Sequence, residues 1–164
     1  QPFAEVDSCY NQLRKRASLS SSSLSIVSEL KSGSAWYVPG GCSTIGRLFN
    51  DACGRYAFAE DKHSGSIPLA FETVFDKAGD ADVWTIKYNR DRDMTYSDLK
   101  ADYIGYTGFK AFKTRNIYGC NTAKVPFYEE TPFRPDYLLS DLIQILHPEI
   151  GDLGGLRYFC KLNE

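Results

Sequence analysis

A chain of 164 residues with a formal net charge of -2 fits one compact domain that buries roughly 70% of the surface its unfolded chain exposes. Its Lys, Arg, Asp and Glu are intermixed with no basic stripe, so nucleic acid is not expected as a partner. No apolar run approaches the roughly 20 residues of a membrane span and no signal peptide opens the chain; with Gln1 first, a processed or truncated product is expected.

Phe3, Val6, Tyr10 and Leu13 recur at helical spacing, so the chain opens on an amphipathic helix. The serine run from Ser18 to Ser23 reads as a polar linker or loop. Ile26 to Leu30 and Ala35 to Val38 read as extended pieces separated by a Ser-Gly turn. Pro39-Gly40-Gly41 breaks the backbone. A helix follows, with Ser43 or Thr44 as its N-cap and Ile45, Leu48, Phe49 and Ala52 on its apolar face.

Tyr56 to Ala59 reads as a short strand, Glu60 to Ile67 as a loop, and Pro68 as lying near the start of a helix bearing Phe71, Val74, Phe75 and Ala78. Ala81 to Ile86 is a buried-type strand. Thr95 and Asp98 form a capping-box pattern for the next helix. Asn116 to Tyr118 is a strand, Pro135 to Leu146 a long helix, and Arg157 to Lys161 a closing strand. On the long helix Leu138, Leu139, Leu142, Ile143 and Leu146 form the buried stripe, with Ser140, Asp141, Gln144 and His147 facing outward; Pro148 stops it. Alternation of this kind predicts an α/β fold: a three-layer, Rossmann-like lobe with a mainly parallel sheet flanked by helices, occupying residues 1–164 as a single unit.

Side-chain chemistry gives little support to an enzyme. The five cysteines Cys9, Cys42, Cys53, Cys120 and Cys160 are odd in number and show no C-x-x-C pairing, so mostly buried, reduced thiols are expected, with one bridge possible and no metal site. Cys42 sits where a glycine-rich turn meets a helix N-terminus, which lowers a thiol pKa, and His63 or His147 are the available bases. A small residue in a tight turn explains Cys42 more simply, and both histidines read as structural. Glu129 and Glu130 lack a second carboxylate pair in evident reach and make a poor acid–base site. They suit a loop that leads to the positive end of the following helix.

Pro39-Gly40-Gly41 directly follows Trp36 and Tyr37 at the expected carboxyl end of a strand, where open α/β sheets bind ligands. Two exposed aromatics there would suit a large, flat or partly apolar ligand. The competing assignment has one of the two facing the core and the other solvent. The cluster from Asn89 to Asp93 reads as a solvated loop.

Several segments together carry a family resemblance. Arg134-Pro135-Asp136-Tyr137-Leu138-Leu139-Ser140-Asp141-Leu142-Ile143, ending in Leu146-His147-Pro148-Glu149, resembles the closing segment of bacterial ABC-transporter substrate-binding proteins. The subgroup is the two-lobed, helix-linked one that carries cobalamin, haem or ferric siderophores. Trp36-Tyr37-Val38-Pro39-Gly40-Gly41, Gly65-Ser66-Ile67-Pro68-Leu69-Ala70-Phe71-Glu72 and Asn116-Ile117-Tyr118-Gly119-Cys120-Asn121 resemble the Bacteroides-type members in the same order. The resemblance runs from about Phe3 to Leu162 and implies one lobe of a class III periplasmic-binding-protein fold.

Members of that family are about twice this long, so the resemblance implies the carboxy-terminal lobe alone, with the amino-terminal lobe and linking helix elsewhere in the polypeptide. It implies a ligand held between lobes: an iron chelate, haem or corrinoid, and no intrinsic cofactor. Trp36, Tyr37, Gly40 and Gly41 match one cleft loop; Tyr118 and Asn121 match a second. Glu129 best matches the acid that docks on a membrane permease, with Glu130 as its rival. A polar residue often stands in the family where this chain has Cys42, so no direct polar ligand contact is expected there. A periplasmic or membrane-anchored lipoprotein follows, with the permease, the other lobe and the small-molecule ligand as partners and self-association of the exposed cleft face possible. A thiol-dependent enzyme using Cys42 and a stand-alone interaction module are the alternatives.

Overall fold

The computed structural model describes residues 2–164. The opening helix α1 runs Pro2–Ser18, a turn further than its apolar spacing marks. The main sheet contains β1 (Ser25–Ser28), β4 (Arg55–Tyr56), β6 (Val83–Tyr88), β7 (Ile117–Asn121) and β8 (Cys160–Lys161), in the order β4-β1-β6-β7-β8. All neighbours are parallel except β7 and β8. The mainly parallel α/β lobe expected from the sequence is what forms. The closing strand is shorter than the run Arg157 to Lys161, because the backbone amides of Arg157, Tyr158 and Phe159 bond to Asp141 instead of to a strand.

The second extended piece does not join this sheet. Ala35–Pro39 (β3) pairs antiparallel with Lys31–Ser32 (β2) and Ser66–Leu69 (β5) as a separate sheet. Here the expectation of a loop up to Ile67 with Pro68 near a helix start is corrected. Pro68 lies within β5 opposite Tyr37. As β5 is an edge strand, the missing amide hydrogen removes no necessary ladder bond.

The remaining helices are α2 (Thr44–Asp51), α3 (Phe71–Ala78), α4 (Tyr96–Asp102), α5 (Lys110–Lys113), α6 (Phe127–Glu130) and α7 (Pro135–Leu146), with a 3-10 turn at Ile104–Gly108. Ser43 caps α2, its Oγ accepting from the Gly46 amide at 3.0 Å. Thr95 and Asp98 close the expected capping box on α4. Strand alternation separates the two faces of the main sheet. Thr85 and Lys87 face Ile45 and Phe49 of α2 and Leu138 and Leu142 of α7. Trp84, one residue before Thr85, faces Trp36, Tyr106 and Phe109.

Two expectations about α7 are corrected. Asp141 and His147 are both buried rather than outward. The three amides already named satisfy the Asp141 carboxylate at 2.8, 2.8 and 3.1 Å. His147 closes α7, and its Nε2 lies 2.7 Å from the Ala52 carbonyl, which ties the C-terminal ends of α7 and α2 together. The thiols also differ from expectation: Cys42, Cys53 and Cys160 are exposed, Cys9 is half-buried, Cys120 is buried, and all five are free. Burial pushes the Cys120 thiol up to about 12.

Candidate functional site

Chain order locates the reversal point of the main sheet. From β1 the chain moves to β4 on one side, then returns past β1 to β6 on the other. Ligands of open α/β sheets bind outside the strand carboxyl ends at such a point. Ser28 ends β1, Lys87 and Tyr88 end β6, and Asn121 ends β7 in register with Tyr88.

Two charged groups meet there. Glu29 and Lys87 approach to 3.5 Å, with both side chains mostly covered. Glu29 has φ 74°, the left-handed region that a residue with a Cβ seldom occupies. It is held there from both sides: its amide donates to the Thr85 carbonyl at 3.0 Å and its carbonyl accepts from Trp84 Nε1 at 2.9 Å. Strain imposed by surrounding contacts in this way gathers at functional positions. The Lys87 ammonium also lies 5.2 Å from the centre of the Phe127 ring and has no hydrogen bond among those found for the described residues. Ser28, which pairs with Thr85 at the end of β1, has a buried Oγ without a partner among the described residues. The crevice between Glu29, Lys87, Phe49, Phe127 and Phe159 has a volume of only 20 Å³, about the room one water needs. Sequence reasoning missed this pair because nothing in the local pattern brings Glu29 to Lys87; only the pairing of β1 with β6 does.

The residues expected at the first cleft loop divide. Trp36 is fully buried, stacked on Trp84 at 5.8 Å between ring centres, and its Nε1 donates to the Ser28 carbonyl at 3.0 Å. Its expected side-chain contact with ligand is therefore corrected to a core role. Tyr37 points the other way along β3 and is 50% exposed. Gly40 and Gly41 are glycines because backbone lies against them. A Cβ on Gly40 would come 2.4 Å from the His63 carbonyl oxygen, and one on Gly41 2.2 Å from that of Ala59. The Gly40 and Cys42 amides already donate to the Gly65 and His63 carbonyls. This turn is filled by the 59–65 segment, leaving no open cradle.

The second loop is also rearranged. Tyr118 lies towards the amino end of β7, in register with Thr85 and Lys161, away from the carboxyl end where a ligand would sit. Asn121 is at the carboxyl end but buried, and its amide is fully used. Nδ2 donates to the Arg90 carbonyl at 2.9 Å and approaches Asp93 Oδ1 at 3.2 Å, while Oδ1 accepts from the amides of Arg90 and Ala123 at 3.2 Å each. Asn121 therefore shapes the 89–93 loop at the sheet end, whose Arg90 and Arg92 pair with Asp102 and Asp98 at 3.0 and 2.8 Å. The forked Arg92 contact, with the Thr95 amide, holds the Asp98 carboxyl well below the usual carboxylate range.

Glu129 and Glu130 occupy the four-residue helix α6 and differ in surroundings. Glu129 is exposed and has no ion pair or hydrogen bond among the described residues, whereas Glu130 Oε1 accepts from the Tyr158 hydroxyl at 2.9 Å. Tyr128 and Phe133, both strongly exposed, flank them. Cys42 is near His63 through backbone only: the His63 ring binds Asp61 at 2.9 Å, and no hydrogen bond joins ring to thiol among the described residues. No group of three metal-ligating side chains occurs among the described residues, and no helix among them is long and apolar enough to cross a membrane.

Comparison with known proteins fits this layout. Residues 1–123 match the family model described as periplasmic binding protein. An uncharacterized lipoprotein of Methanocaldococcus jannaschii is 31% identical over 128 residues, covering 77% of this chain and 30% of that protein. The TroA-like periplasmic binding protein FepB from Veillonella parvula superposes with a TM-score of 0.67 at 14% identity, over 98% of this chain and 56% of that one. A periplasmic heme binding protein from Pseudomonas aeruginosa does so with a TM-score of 0.67 at 13% identity, over 99% and 56%. The chain thus spans about half the length of these solved structures and under a third of the curated relative. It shares the class III periplasmic-binding-protein fold, and it belongs to the periplasmic binding protein family.

Proposed function

We propose that this chain is the carboxy-terminal lobe of a two-lobed receptor of an ABC importer, which holds an iron chelate, haem or corrinoid between its lobes and hands it to a membrane permease. The observation that carries this reading is the site at the sheet reversal point. A charged pair stands at the carboxyl ends of β1 and β6, and the crevice it lines with the buried Phe49, Phe127 and Phe159 holds only 20 Å³, against the roughly 300–1,000 Å³ of a small-molecule pocket. On this reading the chain, which spans 56% of the length of the FepB structure, supplies one wall of a site whose other wall comes from elsewhere in the polypeptide. Family membership and the heme-binding neighbour support the ligand class. The lipoprotein relative supports a periplasmic or membrane-anchored location.

On this reading, Tyr37 and the Glu29–Lys87 pair form this lobe's share of the ligand wall, and Asn121 shapes the adjoining loop. Glu129, exposed on α6, is the docking charge, which mainly sets encounter rate and orientation. The expected result is that the complete receptor binds at least one of hemin, a ferric hydroxamate chelate and cyanocobalamin in calorimetry, and that Tyr37→Ala weakens that binding. A complete receptor that takes none of the three would sink the ligand assignment. Glu129→Ala should impair uptake while the ligand dissociation constant stays put; unchanged uptake removes Glu129 from docking. Tyr37, Tyr128 and Phe133 leave apolar area exposed, which favours association, and concentration-dependent sedimentation of the chain is the expected sign of self-pairing.

A further inference from the structure

Glu130 sits beside the proposed docking acid and carries the same charge, but its surroundings give it different work. Its side chain accepts from the Tyr158 hydroxyl at 2.9 Å. Its backbone carbonyl accepts from the amides of Phe133 and Arg134 at 3.0 and 2.8 Å, which fixes the turn from α6 into α7. Tyr158 is itself immobilised, because its amide donates to the buried Asp141 carboxylate at 2.8 Å and its ring packs edge-on against Phe127 at 5.6 Å. Burial, and then the Glu130 carboxylate, push the Tyr158 hydroxyl above its ordinary pKa, so it stays a donor throughout the physiological range. A helix of four residues makes too few internal hydrogen bonds to hold its own shape. Whatever orients α6 must come from outside it.

We infer that the Tyr158–Glu130 hydrogen bond is a strut that orients α6, so that Glu130 is a positioning residue and Glu129 alone presents the docking charge. The inference rests on the reading that Glu129 docks on a permease, although the strut itself is a property of this chain. The load path runs from Asp141 in α7 through the backbone at Tyr158 to Glu130. At the far end of α6, Phe127 meets Lys87 of the reversal-point pair, so the docking helix is braced on one side by the C-terminal segment and on the other by the ligand wall.

A docking charge and a strut respond differently to loss of charge alone. Glu130→Gln removes the negative charge but keeps an oxygen that accepts the Tyr158 proton; Glu130→Ala removes both, and Tyr158→Phe removes the donor with little change of shape. The experiment compares these three with Glu129→Gln in the complete receptor. It measures amide hydrogen exchange over residues 127–134 and affinity for the permease reconstituted in nanodiscs without ligand. The expected result is that Glu130→Ala and Tyr158→Phe speed exchange and weaken permease binding by about five- to tenfold, the scale of one lost hydrogen bond. Glu130→Gln should stay within about twofold of the parent in both, and Glu129→Gln should weaken permease binding with exchange unchanged.

Unaltered exchange in both Glu130→Ala and Tyr158→Phe would overturn the strut. So would a Glu130→Gln receptor as impaired on the permease as Glu130→Ala while Tyr158→Phe binds normally, which would make Glu130 a docking charge. A Glu129→Gln receptor that binds the permease normally would instead count against the docking reading, and the exchange arm would still decide the strut.

Discussion

Helices α6 and α7 each carry two acidic residues within six positions, and their fates are opposite. On α7, Asp136 and Asp141 are buried: one takes a forked contact from Arg134 at 3.0 and 2.7 Å, the other receives three backbone amides. On α6, Glu129 projects into solvent and Glu130 is half-covered with a single partner. The difference lies in what the rest of the chain brings to them. A buried carboxylate persists only where enough donors replace its water, and the returning C-terminal segment supplies those donors at Asp141. None of the described residues returns over Glu129, so its charge remains available to another molecule. Acids of like chemistry a few residues apart thus divide into partnered and unpartnered, among the described residues, according to the donors that reach them.

The contrast can be broken at graded cost. Asp141→Ala strands three amides and should lower stability by about 2–4 kcal/mol in urea denaturation followed by tryptophan fluorescence; a loss below about 1 kcal/mol would mean that water satisfies those amides equally well. Asp136→Ala frees a guanidinium that is partly exposed and stacked on the Tyr137 ring at 3.9 Å, so about 1–2 kcal/mol is expected. Glu130→Ala removes one hydrogen bond and should cost about 1 kcal/mol. Glu129→Ala should fall within about 0.5 kcal/mol of the parent; a larger loss would show that Glu129 is structural and erase the contrast between the helices.

A third kind of acid sharpens it further. Glu149 is exposed yet receives hydrogen bonds from the hydroxyls of Ser20 and Ser22, which, with its own backbone amide, lower its carboxyl to about 2. A depressed carboxyl contributes stability that is complete above its unfolded pKa, near 4.5, and is lost as pH falls through its folded value. The serine segment should therefore stay tethered to the end of α7 at pH 4 and loosen between pH 4 and 2. Hydrogen exchange of residues 20–24 across that range measures it, and Glu149→Gln should show the loosened behaviour at neutral pH.

Much of this was legible in the sequence where a local rule applied. The helix from Pro135 to Leu146 carried its own stripe, proline start and proline stop, and it formed with those bounds. Ser43 and the Thr95–Asp98 box capped their helices as their spacing indicated. The alternation of strand and helix gave the mainly parallel sheet. Local pattern failed where partners lie far along the chain. Trp36 and Tyr37 are neighbours on one strand, so one had to face inward. Only the packing of β3 over Trp84 decided that it was Trp36. Asp141 reads as a surface residue by spacing, because the amides that receive it lie 16 to 18 residues away on a returning segment with no pattern of its own. Pro68 resembles a helix start until β3 pairs with its strand.

The sequence by itself determined the α/β class, the positions of the capped helices and the family to which the chain belongs, because those depend on periodicity, capping chemistry and motif order within short windows. Only the tertiary structure decided which face of β3 is core, which thiols are exposed, that Glu29 meets Lys87 at the reversal of the sheet, and that Glu130 is held while Glu129 is not. Each of those turns on long-range strand pairing or on donors delivered by distant backbone, and neither is encoded in the spacing of nearby residues.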